Sequence, residues 1–233
     1  MIIEGAIAVK AAVLSGKRDV VEVYISSSKK TKDFHYIRRI CKERDIPVRE
    51  MNEQELFSVL SGKSHGGIGA EVSSRREDDF DEGDILFADG IEDPFNLGYV
   101  MRTAYAFGVR NVLLPKRDYS TMEAQLLKSS AGAYDLLNIR IQEEGDLERY
   151  KEEGYHLMGM FRGEGAEDIF EVSFPQKSLF ILGGEKRGIK KEILALCDKY
   201  LYISYGSDFR NALNAAAAAD VLLTLLYRQR RKS

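Results

Sequence analysis

The chain has 233 residues, a formal net charge of −3, and 44% hydrophobic against 30% charged side chains, the balance of an ordinary soluble protein with room for one large or two modest domains. No apolar run reaches the roughly 20 residues that span a bilayer, and Met1-Ile2-Ile3-Glu4-Gly5 lacks the basic start of a signal peptide. Cys41 and Cys197 stand far apart, and His35, His65 and His156 make no metal-ligand spacing with Cys, Asp or Glu, so the reading is a cytoplasmic protein with reduced thiols and no metal.

In chain order, Ile7, Val9, Ala11, Ala12 and Val13 set a helical pattern within residues 3–16, ended by Gly16. The β-branched run Val20-Val21-Glu22-Val23-Tyr24-Ile25 predicts a strand. A basic helix follows over residues 33–44, then an extended piece over 47–51. Asn52 is placed to cap a helix over 53–60 by accepting an orphan amide hydrogen, and residues 66–72 return as a strand. Gly62-Lys63-Ser64 resembles the end of a phosphate loop, but that loop's first glycine would fall at Phe57, so the match fails. Residues 1–74 thus form a small α/β module. Ser73-Ser74-Arg75-Arg76-Glu77-Asp78-Asp79 has almost no apolar content, and residues 75–83 read as a linker.

A larger α/β domain follows over 84–233. Strands are predicted at 85–88, 112–115, 136–141, 156–160, 178–182 and 201–203. Helices are predicted at 97–107 (stopped by Gly108), 121–131, 146–153, 190–196 and 213–228, the last with a basic end that suits the helix dipole. Strands alternating with helices imply a mostly parallel sheet covered on both faces.

The net charge conceals an asymmetry. Residues 1–75 carry 13 Lys+Arg against 10 Asp+Glu, and the remainder 21 against 27. Phosphate binding depends on a local basic patch rather than total charge. The densest cluster, Lys29, Lys30 and Lys32 with Arg38 and Arg39, reads on its own rather as a solvated loop and helix face than as such a patch.

Three polar segments each begin where an apolar strand-like run ends and lead toward a helix. They are Asn96 to Ala104, Gly183-Gly184-Glu185-Lys186-Arg187-Gly188, and Ala212-Leu213-Asn214 with the alanines that follow. Ligands of open α/β sheets bind beyond the carboxyl ends of strands, so three such loops point to one site. No Gly-x-Gly-x-x-Gly turn follows a strand and no Gly-x-Ser-x-Gly elbow occurs, which leaves a dinucleotide site and a hydrolase nucleophile unsupported. Asn96 follows a turn-rich loop and could cap the next helix. Arg102 suits a phosphate held by two parallel hydrogen bonds, or a surface salt bridge. Glu185 follows two glycines, which let a backbone approach a ligand closely, though an ordinary turn explains them as well. Asn214 precedes five alanines, which allow tight packing and are also strong helix formers.

In their order and spacing these segments resemble the SpoU (TrmH-like) family of RNA 2′-O-ribose methyltransferases, a branch of the SPOUT class. Asp93-Pro94-Phe95-Asn96-Leu97-Gly98 with Arg102-Thr103-Ala104 is similar to the family's first motif, Leu182 to Gly188 to its second, and Ile203 through Leu213-Asn214 to its third. Lys128-Ser129-Ser130-Ala131-Gly132-Ala133 falls where members carry a Lys-x-x-x-Gly-Ala stretch. The first 75 residues, with His65-Gly66-Gly67-Ile68, are similar to the small substrate-binding module of the ribosomal-protein L30e type.

The resemblance implies a trefoil-knotted α/β domain, rare among folds, that cradles S-adenosyl-L-methionine through Gly183, Gly184, Ile203 and Leu213. It implies catalytic roles for Arg102, Asn96, Glu185 and Asn214, a homodimer with the site near the subunit interface, and RNA as partner, ribosomal rather than transfer RNA. The family proposal makes the arginine a base. A guanidinium is a poor base, which favours instead a role in gripping a phosphate and orienting the ribose hydroxyl. One departure stands out: Ala212 replaces the usual serine of Ser-Leu-Asn, and the loop before it is about one residue longer. A lost hydroxyl removes a hydrogen bond worth roughly 0.5–1.5 kcal/mol, with Ser207 or Asn211 as possible substitutes. Three readings compete: an active RNA ribose methyltransferase, an RNA-binding or assembly factor that kept the fold without the activity, and a small-molecule methyltransferase, against which the RNA-binding-like front module speaks.

Overall fold

Short apolar runs separated by capped helices build two sheets in the computed structural model, which describes residues 1–61, 65–143 and 145–232. The phosphate-loop look-alike Gly62-Lys63-Ser64 lies outside the described residues. In chain order the first elements are β1 (Ile2–Glu4), α1 (Ala6–Ser15), β2 (Val20–Ser26), α2 (Lys32–Glu43), β3 (Val48–Met51), α3 (Glu53–Val59) and β4 (Ile68–Val72). Then come β5 (Ile85–Asp89), α4 (Pro94–Ala106), β6 (Asn111–Leu114), α5 (Glu123–Ser129), α6 (Ala133–Leu136), β7 (Asn138–Ile141) and α7 (Asp146–Glu152). The last are β8 (His156–Met160), β9 (Ala166–Asp168), β10 (Ser178–Gly183), α8 (Lys191–Leu196), β11 (Lys199–Tyr202) and α9 (Ala215–Arg230). Packing divides the chain into two units, Met1–Arg76 with Tyr119–Leu136, and Glu77–Asp118 with the residues from Leu137 onward.

The first unit carries a four-stranded sheet in the order β1-β4-β2-β3. β4 runs antiparallel to both neighbours and β3 parallel to β2. β1 is an addition to the predicted elements; three residues are too few for a period-2 pattern to show. The helix α1 ends at Gly16, whose φ of 67° is the left-handed stop that glycine permits. Asn52 caps α3 in a reciprocal box with Glu55.

Tyr119–Leu136, which sequence reading assigns to the second domain, packs within this unit. Two of the features that hold it are a close approach and an ion cluster. Gly132 has φ +82°, and a Cβ there would press into the Ala11 methyl and the Ile7 carbonyl. Arg18, only 2% exposed, donates to Asp135 from Nε and Nη2 (2.8 Å at the shortest) and to Glu123 from Nη1 at 2.9 Å. The predicted helix 121–131 is a 3-10 turn at Ser120–Met122 followed by α5, and Leu136 ends a helical turn rather than starting β7.

The second unit is a seven-stranded sheet in the order β7-β6-β5-β10-β8-β11-β9, parallel at every pairing. β5 is buried along its length and β10 along all but its last residue, as expected for central strands covered on both faces. Ile85, Phe87, Leu113, Leu157, Leu179 and Ile181 form much of the core beneath α7 and α8. The predicted linker is bonded along its second half. Asp78 accepts from the Ile139 amide, and Asp81 accepts from Asn138 and pairs with the Asn111 side chain.

From β5 the chain steps outward through β6 and β7; from β10 the strands lead the other way. The order therefore reverses between β5 and β10, the position at which open α/β sheets open a ligand crevice. Asp89 at the end of β5 is level with Gly183 at the end of β10.

Candidate active site

Three loops rise from the carboxyl ends of β5, β10 and β11, and each carries one of the polar segments. The first leads into α4, which begins at Pro94, three residues before the predicted start. Asp93 is its cap, accepting from the Phe95 amide at 2.8 Å, and proline at the first helical position needs no amide partner. Asn96 is thus not the cap. It sits in the first turn with its side chain free to reach outward, and Nδ2 donates to Glu185 Oε1 at 2.8 Å.

The second loop folds tightly on itself. The Gly188 amide donates to the Gly184 carbonyl at 2.9 Å. A Cβ on Gly183 would collide with the backbone of Gly188 and Ile189, and one on Gly184 with the Gly90 carbonyl. Both glycines are therefore required by close backbone approach, here of the β10 loop against itself and against the β5 loop. Asp89, 1% exposed, pins the far end. Its Oδ2 accepts from the Lys190 amide at 3.1 Å, and the Lys190 ammonium lies 3.8 Å from Oδ1.

The third loop runs from Ile203 to Asn214, which caps α9 by accepting from the Ala217 amide at 2.8 Å. The helix starts at Ala215, two residues later than predicted. Tyr205 steadies the loop by accepting from the Leu213 amide at 3.1 Å, and the Arg162 guanidinium lies 5.4 Å from its ring centre. Ser207 Oγ accepts from the Phe209 amide at 3.4 Å. Neither Ser207 nor Asn211 borders the adjoining cavity, whereas Ala212 does.

Two cavities flank the β10 loop and share Glu185 and Gly188 as walls. The larger, about 660 Å³, is bounded by Leu182, Gly183 and Gly184, by Ile203 and Tyr205, and by Ala212, Leu213 and Asn214. Its volume suits a small organic ligand, and its walls mix apolar side chains with the charged and polar groups of Arg162, Glu185, Arg210 and Asn214. The smaller, about 310 Å³, lies between Asp89–Asp93, Asn96 and the outer side of the β10 loop through Lys190.

Of the predicted site residues, Gly183, Gly184, Glu185, Ile203, Leu213 and Asn214 therefore share one cavity, and Asn96 joins it through Glu185. Arg102 does not border it. It is exposed on α4, with no ionic or hydrogen-bonding partner among the described residues. Sequence reasoning missed Asp89, Arg162, Tyr205 and Arg210, the last three also bordering the larger cavity. Asp89 carried a signal only as the acidic end of an apolar strand.

The comparisons with known proteins agree with this architecture. The SpoU rRNA methylase family model matches residues 84–224, and the model for RNA 2′-O ribose methyltransferase substrate binding matches residues 2–77. A protein of Staphylococcus haemolyticus assigned to the TrmH family of tRNA/rRNA methyltransferases is 28% identical over 243 residues, covering 99% of this chain and 96% of its own. Among solved structures, the SpoU methyltransferase AviRb of Streptomyces viridochromogenes, in complex with AdoMet, superposes with a TM-score of 0.79 at 22% identity, covering 100% of this chain and 91% of that one. A TrmH-family RNA methyltransferase structure from Porphyromonas gingivalis gives the same TM-score and identity over 100% of this chain and 90% of that one. The chain belongs to the SpoU family of RNA methyltransferases, whose methyl donor is S-adenosyl-L-methionine.

Proposed function

We propose that this protein methylates a ribose 2′-hydroxyl of ribosomal RNA. The observation that carries the reading is the hydrogen bond from Asn96 to Glu185, which ties the β5 loop to the glycine-built β10 loop at the wall of the larger cavity. The cavity's size, its mixed apolar and polar walls and the glycines that shape it fit S-adenosyl-L-methionine. Gly183, Gly184, Ile203 and Leu213 would hold it. When bound, that cofactor supplies a methyl group made electrophilic by the positive sulfur.

The chain's own residues bind and align. Asn96 and Glu185 lock two loops, and Asn214 fixes the third by capping α9. Correct alignment of two reactants is worth about 7–11 kcal/mol of a barrier. The Arg102 guanidinium is a planar fork of N–H donors that matches a phosphate. Its role is to grip a phosphate next to the target ribose and orient the hydroxyl.

Arg102 lies on one exposed stripe of α4 with Phe95, Tyr99 and Ala106, spaced as one helical face. We assign that stripe to the contact with a second copy of the chain, with Arg102 acting at the partner's cavity. The C-terminal segment, entering α9 past the β10 loop, is the part we assign to a trefoil knot.

The test is incubation with labelled S-adenosyl-L-methionine and total RNA from a strain lacking the enzyme, followed by nucleoside analysis. Label in a 2′-O-methylated nucleoside of ribosomal RNA is the expected result. Label on a base or only in transfer RNA overturns the respective part, and undetectable cofactor binding overturns the whole. Arg102→Ala should retain cofactor affinity within about twofold and lose at least about a hundredfold in methyl transfer; equal losses in both would contradict the division of roles.

A further inference from the structure

We infer that a cavity in the first unit, between Lys29, Phe57 and His65, receives one unstacked base of single-stranded RNA. The inference rests on the reading of this protein as an RNA methyltransferase and adds the place where its front module grips the polymer.

The cavity holds about 280 Å³, just under the roughly 300–1,000 Å³ of pockets for drug-sized ligands, which suits a single ring system. Its chemistry is that of base recognition. Phe57 is 63% exposed, and its ring stands edge-on to His65, 5.4 Å between centres at 84°. The two rings offer a face and an edge at a right angle, the arrangement on which a planar base can stack and be met side-on.

His65 is 8% exposed. Its Nδ1 accepts from the Gly67 amide at 3.0 Å, so the ring hydrogen is carried on Nε2. That donor has no protein partner among the described residues. Glu53 adds an acceptor to the same lining. A donor and an acceptor together match the mixed edge that every nucleobase presents.

The rim is basic. The Lys29 ammonium donates to the Gly66 carbonyl at 3.2 Å, which leaves it further N–H groups, and Lys30 and Lys32 are exposed just beyond. Fixed cations next to a stacking face are the two components of single-strand binding. Gly67 preserves the arrangement. It has φ +91°, and a Cβ there would crowd the Lys29 and Ser26 side chains.

The experiment uses the full chain and short labelled RNA homo-oligomers, read by fluorescence anisotropy, with an A-form duplex and free nucleoside monophosphates as the other arms. Phe57→Ala should weaken single-strand binding about tenfold, Phe57→Tyr should restore it, and duplex binding and cofactor affinity should not move. His65→Asn, which keeps an acceptor for the Gly67 amide, should change the preference among bases. Unchanged single-strand affinity in Phe57→Ala overturns the inference, as does an equal loss on duplex, or saturation by monophosphates in place of the polymer. If the parent protein methylates RNA while Phe57→Ala binds single strands like the parent, the inference alone fails. If the parent transfers no methyl group to RNA, the functional reading fails, and the anisotropy arms still decide the cavity's role.

Discussion

Asn96 and Glu185 are separated by 89 positions and joined by one 2.8 Å hydrogen bond. Because the bond is exposed to solvent, its direct contribution to stability is less than about 1 kcal/mol; its larger effect is on loop position. A double-mutant cycle on kcat/KM should therefore show strong coupling. Asn96→Ala and Glu185→Ala each slow methyl transfer, and the double variant is hardly slower than the worse single one, a coupling of about 1 kcal/mol or more. Additive losses would mean that the two side chains act separately. At this scale the sequence was only partly readable. The motif residues could be picked out, but whether Asn96 capped a helix or faced a partner depended on Asp93 and Pro94 taking the first helical positions. Asp89 could not be singled out, because a strand-ending acid reads as the start of a turn until Lys190 is folded back onto it.

Elements with unbroken apolar runs or firm stops were legible in advance. β5 and β10 announce themselves as buried central strands, and α1 and α7 stop at glycines with positive φ. β1 and β9 were not, since three residues carry no period. Nor was the packing of α5 and α6 within the first unit, because what holds them there, Arg18 with Asp135 and Glu123, is an ion cluster between residues more than a hundred positions apart. Burial opposes the charge on Arg18, and the two carboxylates more than offset it, leaving the guanidinium pKa above its ordinary value. Arg18→Met leaves two buried carboxylates without their cation and should cost about 3–5 kcal/mol in urea unfolding. Adding Asp135→Leu and Glu123→Leu should recover most of that loss, as apolar replacement of a whole buried cluster often does. A single variant within 1 kcal/mol of the parent would show that the cluster is not structural.

For the whole molecule, the proposal that Arg102 acts across a homodimer is tested by mixed oligomers. Tyr99 is 48% exposed and shares the α4 stripe with Arg102, so Tyr99→Glu should yield monomers in sedimentation and abolish methyl transfer. Arg102→Ala and Gly183→Val should each be inactive alone. Co-expressed, they should regain about a quarter of parental activity, because half the dimers are mixed and each mixed dimer has one complete site. No recovery, with mixed dimers demonstrated by mass, would place Arg102 in its own chain's site.

The first unit is discontinuous, drawing Tyr119–Leu136 back from beyond β6. A gene fusion cut at residue 76 would thus strand Arg18 without either carboxylate. Any exchange of the first unit between proteins built this way has to carry residues 119–136 along with residues 1–76, or swap three ionic side chains for apolar ones in the same event.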